Sequence, residues 1–153
     1  MKPVIKILSA AFLVCLLLIS CSKTTETPAA SADVATSASN KIASGNWVIS
    51  SYTQKTENKS ASFAGVVFTF ADGGKLTATK DGVITTGTWS HSPSSIGYYG
   101  SAPTKASLTV KLGTDKPFKN LTRIWNIVAS DSSSLSLINP EPVDDEHLVF
   151  SKQ

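Results

Sequence analysis

Residues 66–84 read Val-Val-Phe-Thr-Phe-Ala-Asp-Gly-Gly-Lys-Leu-Thr-Ala-Thr-Lys-Asp-Gly-Val-Ile. Val66, Phe68 and Phe70 alternate with Val67 and Thr69, the period of a strand with one buried face. Asp72-Gly73-Gly74 then turns the chain, because glycine takes positive φ without steric cost. Lys75 to Lys80 forms a second short strand. Asp81-Gly82 is a second hairpin signal, and Val83 to Ser90 follows as a third strand. Its residues Val83, Thr85, Gly87 and Trp89 share one face.

The same rhythm extends outward in both directions. Upstream, Trp47 to Tyr52 opens the β-rich region. Downstream, residues 91–106 form a long loop, and Leu108, Val110 and Leu112 then alternate with Thr109 and Lys111. Arg123 to Ala129 is the next strand, with Arg123, Trp125 and Ile127 on one face. Leu135 and Leu137 mark a short strand beyond the Asp131–Ser133 turn. A Pro-containing acidic loop, Asn139 to Asp145, leads to His147–Ser151, with Leu148 and Phe150 inward. This makes eight strands with tight turns and no helix. Sequential hairpins give an antiparallel meander. Closure removes exposed edges, so the expected fold is an all-β, up-and-down barrel of about eight strands. A two-sheet β-sandwich is the runner-up.

The first forty-four residues differ in texture. Lys2 and Lys6 start the chain, and Ile5 to Ile19 is almost wholly apolar. A charged start, an apolar run and small residues before Cys21 read as a secretory signal. The run is shorter than the ~20 residues of a spanning helix. Leu18-Ile19-Ser20-Cys21 resembles the lipobox of bacterial lipoproteins. That resemblance implies cleavage before Cys21 and lipidation of its thiol. Residues 22–44 are rich in Ser, Thr and Ala and contain no aromatic residue. Such a stretch buries too little apolar surface to offset its ordering entropy, so it reads as a flexible tether. As a random coil it would span roughly 26 Å. The expected organisation is a signal peptide over 1–20, a lipidated Cys21 with tether over 21–44, and one β domain over 45–153.

Removing twenty of 153 residues leaves 133, and takes Lys2 and Lys6 with it. The balance falls from fourteen basic and eleven acidic residues to twelve and eleven, about +1. That gives no basis for a nucleic-acid partner, which needs a clustered basic surface. With Cys15 and Cys21 outside the folded part, no thiol remains there for a disulfide, a metal or a nucleophile.

Gly45-Asn46-Trp47 is similar to the first signature of the lipocalins, whose Trp plugs the closed end of the barrel. Asp131, in Ser130-Asp131-Ser132, stands where lipocalins carry a Thr-Asp-Tyr turn. The family also stacks an Arg from beyond the last strand on that Trp. The one arginine here is Arg123, in the sixth expected strand, from where Trp47 or Trp89 is in reach. Residues 45–153 resemble the small lipocalin-like domains of Gram-negative envelope lipoproteins. The resemblance implies a barrel, a small apolar ligand and no catalytic residue.

Catalytic and metal patterns are weak. His91 and His147 lie 56 positions apart, unlike the tight spacing of zinc ligands. Asp144-Asp145-Glu146 reads as a solvated acidic turn without the pattern of a calcium loop. Asp72, Asp81, Asp115 and Asp131 sit in turns, where Asp caps backbone amides. No nucleophile elbow or phosphate loop occurs. The chain is therefore expected to be no enzyme, to need no cofactor or metal, and to be a monomer anchored through Cys21 to the outer membrane, on its periplasmic face or at the cell surface. The expected ligand or core residues are Trp47, Phe68, Phe70, Trp89, Trp125 and Phe150. Small barrels fill with side chains, so core packing is the first reading of these six. Tyr98-Tyr99, between Gly97 and Gly100, is a candidate loop contact for a partner. Two functions remain open: a binder of a small apolar ligand, or a scaffold lipoprotein of an envelope complex.

Overall fold

A strand that alternates apolar and polar residues offers one face to a core and one to water. The computed structural model describes residues 39–95, 97, 102 and 104–153. In it this alternation builds nine strands: β1 Asn46–Gln54, β2 Glu57–Asn58, β3 Val67–Ala71, β4 Lys75–Lys80, β5 Val83–Ser92, β6 Ser107–Leu112, β7 Arg123–Ser130, β8 Ser134–Ile138 and β9 Glu146–Lys152. β3 to β9 pair antiparallel in chain order. β1 then pairs with β9 through seven residue pairs, from Trp47 opposite Lys152 to Gln54 opposite Glu146. This ladder closes the sheet into an eight-stranded barrel and rules out the sandwich, whose sheets would end in free edges. β2 is an added two-residue strand outside the ring, hairpinned onto the end of β1.

The turns follow their chemistry. Lys80 pairs with Val83 across Asp81 and Gly82, whose φ values are +50° and +80°. Positive φ at both central positions is the turn that matches strand twist. Inside the ring, a single apolar cluster runs from Trp47 and Ile49 through Phe68, Phe70, Leu76, Leu108, Trp125 and Leu137 to Phe150. Its outward counterparts are mostly Thr, Ser and Lys.

The barrel has two unlike ends. Residues 39–44, the 72–74 turn and the 131–133 turn lie at one end. Residues 55–66, the 81–82 turn and residues 113–122 and 139–145 lie at the other, which we call the mouth. The first end is covered. Residues 39–42 are helical, with Ala43 N–H donating to the Ser39 carbonyl at 2.8 Å. Ile42 is fully buried and Ala43 packs against the core. Folded structure therefore begins inside the stretch assigned to the tether. One aliphatic side chain in a Ser-, Ala- and Lys-rich segment is enough, since burying an isoleucine stabilises by about 1.5–3 kcal/mol. Asp72–Gly74 is the expected turn, with both glycines at positive φ, whereas two short 3-10 helices, Ser60–Phe63 and Phe118–Leu121, are not signalled by the strand pattern.

Candidate functional site

Trp47 sits on β1 beneath the helical turn. Gly45, at φ +84°, bends the chain from that turn into the strand. The Trp47 indole N–H donates to the Ile42 carbonyl at 3.0 Å. Neither Trp47 nor Trp89 meets Arg123. The cation over Trp47 is Lys152, with Nζ 5.2 Å from the ring centroid, and Lys152 also donates to Ser44 Oγ at 2.9 Å. The register explains the choice, because Lys152 is the residue opposite Trp47 in the closing ladder. Arg123 instead lies over Trp125, two residues along its own strand, at 5.5 Å.

All six expected core or ligand residues are buried in the barrel: Trp47, Phe68, Phe70, Trp89, Trp125 and Phe150. The rings of Phe68, Phe70, Trp89 and Phe150 meet edge to face. Phe68 and Phe150 are 5.3 Å apart, Phe150 and Phe70 5.6 Å, and Phe70 and Trp89 5.6 Å. Edge-to-face contact at these spacings is the packing of a filled aromatic core. The Trp89 and Trp125 indoles are satisfied by the carbonyls of Ala71 and Leu121. Cys21, Tyr98 and Tyr99 lie outside the described residues. Ser95 and Thr104 form a bridge closed by two hydrogen bonds of 3.1 Å.

At the mouth the interior becomes polar along β1, β7 and β9. Glu146 is not part of a solvated turn. It is almost fully buried, and it shares inward parity with Leu148 and Phe150. Arg123 pairs with it directly. Tyr52 donates its hydroxyl to Glu146 Oε1 at 2.8 Å, and Asn139 donates its amide to Glu146 Oε2 at 2.8 Å. The Asn139 amide also reaches Asp144 Oδ2 at 3.1 Å. Burial first, then the hydrogen bond and charge of Glu146, push the Tyr52 hydroxyl well above its ordinary range, so it stays a donor. Every acceptor of this carboxylate is occupied by a neighbour of the same chain.

The histidines are apart. His91, on β5 at the covered end, has Nδ1 3.2 Å from Ser39 Oγ. Burial lowers its pKa from the ordinary 6.5. His147, on β9 at the mouth, has Nε2 3.1 Å from Asp145 Oδ1. Among the described residues, no group of three His, Cys, Asp or Glu side chains is placed to hold a metal. Asp131 caps its turn, accepting from the Ser133 and Ser134 amides at 2.7 Å each. Those bonds, Ser133 first, hold its carboxyl below the usual range.

The candidate site is an apolar cleft at the opposite side of the mouth. It measures about 280 Å³ and lies between the β4–β5 hairpin and the two 3-10 helices, Ser60–Phe63 and Phe118–Leu121. Val66, Val83, Thr85, Pro117 and Phe118 line it, with Lys80 and Asp81 on the hairpin beside it. Val83, expected to face a packed interior, is 69% exposed. It holds the inward parity of β5, but it lies at the end of the strand, beyond the packed rings. Strand periodicity fixes a side chain's face and not its depth along the barrel. A larger hollow at the covered end, about 390 Å³, is lined by Ser39, Ala43, the 72–74 turn, Trp89, Ser90 and His91, a more even mix of polar and apolar groups than the walls of the mouth cleft.

An antiparallel meander closed by its first and last strands, with a buried tryptophan under a short helix, is a lipocalin-like up-and-down barrel. Similar solved structures include a DUF4847 family protein from Bacteroides vulgatus ATCC 8482. It is 16% identical over 73% of this chain and 96% of that chain, with a TM-score of 0.49. A lipocalin-like protein from Bacteroides uniformis ATCC 8492 is 18% identical over 73% of this chain and 99% of that one, with a TM-score of 0.46. No protein-family model matches the chain, and no curated protein matches it.

Proposed function

We propose that this chain is an envelope lipoprotein, anchored through Cys21 to the outer membrane, whose barrel binds a small apolar ligand at its mouth without catalysing a reaction. The observation that carries the ligand reading is the cleft of Val66, Val83, Thr85, Pro117 and Phe118, an apolar concavity against the filled barrel. Ligand sites are concave and mainly apolar with a few polar groups at the edge, and Lys80 and Asp81 supply those here. The non-catalytic reading is supported by Glu146, whose two carboxylate oxygens are taken up by Tyr52, Asn139 and Arg123. The lipobox-like stretch Leu18–Cys21 supports the anchor.

Native mass spectrometry of the protein isolated from its own host tests the ligand. A bound mass that is lost in Val83→Glu is the expected result, and ligand-free spectra under gentle conditions count against it. Cys21→Ala tests the anchor. The variant should fail to partition with membranes, and normal anchoring would overturn the lipoprotein reading. A second reading, a docking site for an envelope protein, is favoured by the exposure of Val83 and Ile84, at 69% and 62%. It predicts a partner contact that Ile84→Glu abolishes while small-molecule binding is unchanged.

A further inference from the structure

β1 and β3 are joined by two residue pairs only, Asn46 with Thr69 and Trp47 with Phe68. Beyond Trp47 the strands part, and residues 55–66 fill the gap. A handful of bonds tie this strap to the barrel: the Lys55 N–H donates to the Asp145 carbonyl at 2.9 Å, and the Lys59 ammonium donates to Gln54 Oε1. Lys59 N–H donates to the Tyr52 carbonyl, and Ser60 Oγ accepts from the Tyr52 N–H, both at 2.8 Å. β2 adds two pairs with β1. From Lys55 to Gly65 one residue is buried, Phe63, and the rest are exposed or half-exposed. The backbone turns through left-handed φ at both ends, +54° at Lys55 and +74° at Gly65. Nothing lies within 4 Å of the place a Gly65 side chain would take.

The Phe63 ring enters the barrel between the parted strands. It meets Tyr52 edge to face at 5.7 Å, and Phe68 and Phe118 each at 6.4 Å. Phe118 also lines the mouth cleft, as do Ser62 and Val66 on either side of Phe63. The seat of the ring and the cleft are therefore neighbours that share walls.

We propose that Phe63 is a built-in occupant of a second, aromatic-lined binding seat, and that residues 55–65 swing out to admit a flat apolar ligand. The inference rests on the ligand reading above and locates its deeper half. A cavity of about 150 Å³ with apolar walls takes one benzene-sized ring, so one ring of the ligand occupies the seat and the remainder lies in the cleft. Closure of the strap lowers the apparent affinity by the fraction of molecules that are open.

The test uses the full chain and the probe N-phenyl-1-naphthylamine, followed by its fluorescence and by hydrogen-exchange mass spectrometry. Probe bound to the wild type should speed exchange over 55–65 and slow it over 66–78. Phe63→Ala should bind the probe about tenfold or more tightly, and Val83→Glu should weaken binding in both backgrounds. Equal affinity in Phe63→Ala, with unchanged exchange over 55–65, overturns the seat and leaves the cleft standing. Tighter binding in Phe63→Ala that ignores Val83→Glu keeps the seat and removes the cleft. No binding by either protein overturns both. Should Phe63→Ala fail to fold, exchange in the wild type decides alone.

Discussion

Glu146 shows how much one side chain can hold. It is a buried carboxylate that ties β1, β7 and the 139–144 loop together through Tyr52, Arg123 and Asn139. Removing one member of a buried pair leaves the other charge uncompensated, which costs about 3 kcal/mol. Glu146→Ala should lose that much in urea unfolding, and a loss below about 1 kcal/mol would mean that Arg123 simply turns to water. His91 supplies a pH prediction. Its folded pKa lies below the unfolded value, so it stabilises above the unfolded value of 6.5, and that stability is lost as pH falls through the lowered folded value. Melting from pH 7 to pH 5 should show a decline that is smaller in His91→Gln. Both residues were partly legible in the sequence. The inward parity of Leu148 and Phe150 extends to Glu146, but an acidic triplet reads as solvated. Lys152 could have been found as the partner of Trp47 once the closing register was known. Lys152, the final residue of β9, is the cation over Trp47.

The strands were legible because alternation and turn chemistry agree, as in 66–84. The short helical pieces were not. Ser60–Phe63 and Phe118–Leu121 bury one residue apiece, Phe63 and Leu121, too few for a period to emerge. Residues 39–44 look like tether because Ile42 is their one large apolar residue. A chain cut to start at Gly45 loses Ile42 and the acceptor of the Trp47 indole, and should be about 3 kcal/mol less stable than one starting at Ser39. Equal denaturant midpoints would show that the turn adds nothing. The β5–β6 ladder carries a sharper constraint. A Cβ on Gly87 would lie 2.0 Å from the Lys111 carbonyl oxygen, a backbone atom that cannot step aside. Gly87→Ala should destabilise by about 1–3 kcal/mol through overpacking, as read by chemical denaturation.

At the scale of the molecule, the ring closes between residues about a hundred positions apart, Trp47 and Lys152 among them. Barrels dominated by such distant pairings fold in milliseconds to seconds. A chain lacking residues 146–153 should lose its cooperative unfolding transition, because β1 and β8 both forfeit their β9 partner. The ladder has one more consequence. The Gln153 amide donates to the Asn46 carbonyl at 2.9 Å, beside the Lys152–Ser44 contact, so the start of the first stave and the end of the last lie side by side. A ring built that way has no privileged beginning. Residue 153 spliced to residue 39 by a short glycine linker, with new termini opened between Asp81 and Gly82, should give a circular permutant with the same barrel.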